Sequence, residues 1–146
     1  MDIPAVRAAL LACLALGCLA LSGCGIEGSD TAAGAAVVRI SERDFHIAAP
    51  RRLPTGEVEL AVANRGPVAH ELVVVRKRGA RLPLGPDGLT VNEEKLEDQS
   101  LKVGELEPSP PGVHGLQLHL KPGTYVLFCN MAGHYLGGMH RTVVVR

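Results

Sequence analysis

Two stretches of apolar and polar alternation constrain this chain most. Val58, Leu60 and Val62 recur at every second position of 57–63, and Leu116, Leu118 and Leu120 alternate with Gln117, His119 and Lys121. Successive side chains of an extended strand point to opposite faces, so each stretch reads as a half-buried β-strand. Val37 to Ile40, Phe45 to Ala48, Glu71 to Val75, Tyr125 to Cys129 and Thr142 to Val145 are shorter strand candidates. Asn64-Arg65-Gly66-Pro67 and Lys121-Pro122-Gly123 supply turns between them. Many short strands joined by Gly and Pro turns indicate an all-β sandwich or barrel. With 3% aromatic residues and no Trp, its core must be Val, Leu, Ile and Ala.

Regularity lapses between Arg76 and Gly115, a Gly- and Pro-rich stretch whose one helical signal is Asn92 as a cap before Glu93, Glu94, Lys95 and Leu96. It reads as a long crossover loop with room for one or two helical turns. Neither an internal repeat nor a nucleotide-binding, metalloprotease or serine-hydrolase motif is present. Fifteen basic residues balance fifteen acidic ones, without a basic stripe, so nucleic acid is not an expected partner.

The amino terminus reads as an address. Ala8 to Leu21 is continuously apolar after Arg7, too short for a membrane span of roughly 20 residues but suited to a signal h-region. Leu21-Ser22-Gly23-Cys24 resembles the lipobox of bacterial lipoproteins, which implies cleavage before Cys24 and acylation of that residue. Ordinary signal cleavage nearby is the alternative, and Ala15-Leu16-Gly17-Cys18 is a poorer lipobox. The expected organisation is a lipoprotein signal peptide over 1–23, a Gly/Ser/Thr/Ala tether over 24–36 and one folded domain over 37–146. Cys13 and Cys18 then leave with the signal and Cys24 carries lipid. Cys129 is the one thiol left in the domain, as an inert core residue, a nucleophile or a metal ligand.

Its neighbours favour the last. Cys129, His134 and Met139 stand at Cys-x4-His-x4-Met between two strand candidates, and His70 follows the Asn64 to Pro67 turn. Two imidazoles, a thiolate and a weak thioether form the donor set of a blue copper centre. Zinc is the chemical rival, since it accepts thiolate and imidazole, but it gains little from a thioether.

Here the sequence resembles the cupredoxins. Asn64-Arg65-Gly66-Pro67-Val68-Ala69-His70 looks like the approach to the upstream copper histidine, and Pro122-Gly123-Thr124-Tyr125-Val126-Leu127-Phe128-Cys129 like the strand delivering the copper cysteine. The four-and-four ligand loop is most similar to the rusticyanin and sulfocyanin type. The resemblance implies a cupredoxin-like Greek-key β-sandwich or barrel with a long crossover loop. It implies one type 1 copper ion on His70, Cys129, His134 and Met139. Glu71 departs from the Asn or Ser that several cupredoxins place beside that histidine. It also implies that His134 brings a ring edge to the surface, where Ala132, Gly133, Leu136, Gly137 and Gly138, extended by Pro67 and Val68, would make a shallow apolar patch. The alternative is that these glycines only allow the tight loop.

The remaining histidines carry no such pattern. His46 and His119 read as solvated strand positions, His114 as a loop residue and His140 as pointing away from the metal; Met131 reads as loop packing. Glu93, Glu94, Glu97 and Asp98 form an acidic cluster, either a solvated face or a docking patch. Six scattered histidines do not supply the extra centres of a multicopper oxidase, and a binuclear copper site needs a second cysteine. The expected function is a one-electron carrier and not an enzyme, exported and lipid-anchored at the outer face of a bacterial membrane, periplasmic or at the cell surface, with redox proteins as partners. The alternative is a copper-storage, trafficking or respiratory-complex assembly protein without redox turnover.

Overall fold

The alternating stretches are strands in the computed structural model, which describes residues 34–146. The expected signal peptide, Cys24 and most of the tether lie outside the described residues. The elements run β1 (Ala36–Arg43), β2 (His46–Ala48), β3 (Arg52–Leu53), β4 (Gly56–Asn64), β5 (His70–Arg76), α1 (Glu93–Asp98), β6 (Lys102–Ser109), β7 (Gly112–Leu120), β8 (Gly123–Phe128) and β9 (His140–Val145). They form two mixed sheets, β2-β1-β4-β7 and β3-β9-β8-β5-β6. In the first, β1 runs parallel to β4 with Val38 beside Leu60, and β4 antiparallel to β7 with Val58 beside Leu118. In the second, β3 is parallel to β9, and the other pairs are antiparallel.

The apolar faces meet between the sheets. Ile40, Val58, Leu60, Val62, Leu72, Val74, Leu120, Leu127 and Val143 are buried there, each contributing about 1.5–3 kcal/mol on burial. Strand β5 lacks alternation because both its faces are covered. Leu72 and Val74 enter this core, while Val73 and Val75 pack with Leu82, Val91, Leu96, Leu101, Val126 and Phe128 in a second cluster. The crossover segment thus roofs the outer face of the second sheet. Its helix starts where expected, with Asn92 Oδ1 accepting from the Lys95 N–H at 2.8 Å.

Three expectations need correction. The segment 76–115 is not a loop throughout, since β6 occupies Lys102–Ser109 at the sheet edge. Pro108 is tolerated on an edge, and Gly104 interrupts the apolar pattern because a Cβ there would strike the Leu118 side chain of the facing sheet. His114 lies in β7, paired with Val62, and its ring bonds the Pro110 carbonyl at 2.8 Å. Phe45 leaves the strand for the β1–β2 turn, at φ 60°. Among the described residues no helix is long and apolar enough to cross a membrane.

Candidate metal centre

The upstream histidine is presented by a turn that Asn64 organises. Its side-chain oxygen accepts the Gly66 N–H at 2.9 Å, and its amide donates to the carbonyls of Val68 (2.8 Å) and Ser109 (3.0 Å). These bonds satisfy a buried side chain and deliver His70 as the first residue of β5, its side chain fully buried.

Cys129 follows β8 directly and its loop closes on itself. The Cys129 N–H donates to the Met139 carbonyl (3.1 Å) and the Met139 N–H to the His134 carbonyl (2.9 Å). Gly133 and Gly138 adopt φ of +81° and +101°, a region glycine enters at no steric cost, and so permit this tight course. Asn130 pins the loop to the crossover segment, accepting the Val91 N–H at 2.5 Å and donating to the Val91 carbonyl at 3.1 Å and Glu93 Oε1 at 2.6 Å.

Turn and loop bring His70, Cys129 and His134 together, with one ligand atom from each lying within 4.8 Å of the others. Cys129 Sγ is 3.5 Å from His134 Nδ1 and the two imidazole centroids are 5.3 Å apart. Met139 and Cys129 are fully buried in the same core cluster, against which Met131 packs. Desolvation lowers the His70 pKa and the nearby His134 adds to this, outweighing the pull of Asp44, so the ring is kept as a neutral donor. Burial pushes the Cys129 thiol up, while the backbone N–H groups of Glu71 and Met131 act in the opposite direction. Glu71 therefore addresses the thiolate through its backbone; its own carboxyl is raised to about 8, chiefly by burial and then by Glu105.

The donor set passes a specific test of fit. His70 Nδ1 is buried with no hydrogen-bond partner, while Nε2 of the same ring bonds Asp44. An orphaned buried nitrogen is costly unless something else takes its lone pair. Here it belongs to a cluster with a thiol and a second imidazole, and the three fit one type 1 copper ion.

Other sequence expectations fare unevenly. His46 and His119 are exposed, the latter paired with Glu57. The exposed His140 packs its ring on Tyr135. Within the acidic cluster Glu93 and Glu97, together with Glu105, hold the Lys102 ammonium. Asp44, Phe45 and Asn130 were missed. Only Asn130, adjoining the cysteine within the ligand loop, carried a local signal.

These features define a class, a cupredoxin-fold sandwich with a His-Cys-His cluster, buried at His70 and Cys129 and partly exposed at His134. Solved structures of that fold resemble the chain. Dithionite-reduced auracyanin from the photosynthetic bacterium Roseiflexus castenholzii is 19% identical, with a TM-score of 0.55 over 77% of this chain and 99% of that one. Auracyanin A, a "blue" copper protein from the green thermophilic photosynthetic bacterium Chloroflexus aurantiacus, is 19% identical, with a TM-score of 0.56 over 77% and 100%. Rusticyanin from Thiobacillus ferrooxidans is 16% identical, with a TM-score of 0.54 over 75% and 77%. No family model and no curated protein sequence matches the chain.

Proposed function

We propose that the protein is a single-copper electron carrier, in which His70, Cys129 and His134 would hold the ion as strong ligands and Met139 as a weak one. The observation that carries this reading is the orphaned Nδ1 of the buried His70, clustered with Cys129 and His134. Bound copper would supply a one-electron couple whose two oxidation states tolerate the same donor set. The chain's own residues do the rest. The Asn64 turn and the closed ligand loop fix the donors, and burial of His70, Cys129 and Met139 keeps water from them. Metal catalysis requires a coordination position open to substrate, which so enclosed a donor set disfavours.

Electrons would pass by way of the His134 end. Leu136 is 52% exposed, Val68 49% and Phe45 52%, an apolar surface suited to brief contact with redox proteins because little charge is desolvated. Export and anchoring through an acylated Cys24 complete the proposal, placing the carrier at the outer face of a bacterial membrane. The deciding experiment is the visible spectrum of the purified, copper-loaded protein. An intense thiolate-to-Cu(II) band, reversibly bleached by ascorbate, is expected. A copper-loaded protein without that band rules the reading out.

A further inference from the structure

His70 is held from outside the site. Its Nε2 lies 3.1 Å from Asp44 Oδ1, and the Asp44 side chain is 44% exposed. A carboxylate can only accept, so Nε2 must carry the ring proton, and the lone pair of the neutral imidazole is then at Nδ1, the atom left without a partner. The neighbouring backbone is shaped around this bond. A Cβ at Gly66 would sit 2.8 Å from His70 Nε2 and 3.0 Å from Asp44 Oδ1, so only glycine leaves room for it. Asn64, which fixes the Gly66 N–H, also pairs with Glu42 in the β1–β4 register, two residues before Asp44. Two distant segments are thus built to bring one carboxylate against one ring nitrogen.

We propose that Asp44 is a positioning residue for the upstream copper ligand: its carboxylate locks His70 in the Nε2–H tautomer and ring orientation that offer Nδ1 to the metal, and it favours the oxidised ion. This inference rests on the copper reading. A carboxylate bonded to the far nitrogen makes the imidazole a more basic ligand, and its negative charge stabilises a dication more than a monocation. Asp44 therefore lowers the reduction potential of the site, and its removal raises it.

The test uses the whole protein with Asp44→Ala and Asp44→Asn. Outer-shell partners of this kind typically change metal affinity by 10–100-fold. Asp44→Ala is expected to weaken Cu(II) binding relative to Cu(I) roughly tenfold, an upward potential shift of about 59 mV for one electron. Asp44→Asn can still accept from Nε2 and should shift less. The thiolate-to-copper band should persist in both. In the copper-free protein, nitrogen-15 spectra should show a single Nε2–H tautomer of His70 in wild type and a tautomer mixture in Asp44→Ala. A potential equal to wild type in copper-loaded Asp44→Ala overturns the proposal, and Asp44→Asn is read the same way if the alanine variant does not fold. If wild type shows no thiolate band, the copper reading fails instead, and the tautomer comparison still decides whether Asp44 positions His70.

Discussion

Phe45 lies against His134, the two ring centroids 5.1 Å apart and tilted by 55°. The contact is made from a backbone that a phenylalanine rarely adopts, at φ 60° in the turn after β1. Such a conformation costs about 1–3 kcal/mol and persists only where its surroundings hold it. Here the preceding residue bonds His70 while Phe45 covers His134, so one turn reaches both histidines of the centre.

Gly137 completes that contact, since a Cβ on it would run into the Phe45 ring. Gly137→Ala is expected to destabilise the protein by about 1–3 kcal/mol, as overpacking commonly does. Combining it with Phe45→Ala should recover part of that loss, because the second change removes the obstruction. Denaturant unfolding of the two single variants and the double variant measures the coupling. Strict additivity would show that the ring and Gly137 do not meet.

Cys129→Ser should abolish the intense visible band and weaken copper binding, because a hydroxyl is a harder and less readily ionised donor than a thiol. Met139→Leu nearly conserves volume, at a cost below about 1.5 kcal/mol. It should leave a coloured protein whose potential is raised by the loss of a donor that favours Cu(II). Redox titration with the spectrum as readout tests both, and an unmoved potential in Met139→Leu would assign the axial position to another group.

Much of the His70-Cys129-His134 cluster could be read from the sequence because two of its residues share one short loop and the third follows a strong turn signal. Strands β4 and β7 were legible from their alternation, and β5 and β8, buried on both faces, as short apolar runs bounded by turns. Strand β6 was not, since Gly104 and Pro108 mimic a loop and their reasons lie in the facing sheet and the sheet edge. Asp44 and Phe45 were invisible for a similar reason. Each acts on a histidine 26 or 89 positions away: the parallel pairing of β1 with β4 brings Asp44 near His70, and the stacking of the two sheets brings Phe45 against the ligand loop.

Cys24→Ala should prevent acylation and release the protein from the membrane or leave it held by an uncleaved signal. Two acyl chains at a single terminus suffice for stable anchoring. Mass spectrometry of the mature protein and its partition into detergent decide the matter. An unaltered mass after the substitution would exclude Cys24 as the lipid site.

Glu42 faces the core from β1, 1% exposed, with Oε1 unpartnered, and burial raises its carboxyl to about 7. A carboxyl that binds its proton more tightly folded than unfolded stabilises the fold at low pH. That contribution fades as the pH rises from the ordinary value of 4.5 to about 7. The loss is on the order of 3 kcal/mol across this window, at 1.36 kcal/mol per pH unit. Glu42→Gln keeps the shape and cannot ionise, so the copper-free variant should match wild type near pH 4.5 and exceed it at pH 8. Some slope should remain, because Glu71, raised to about 8, titrates in the same direction. Urea unfolding across that range gives the comparison. Parallel curves for variant and wild type would mean that Glu42 finds a partner or water that the fold does not otherwise provide, and that its burial carries no ionisation cost.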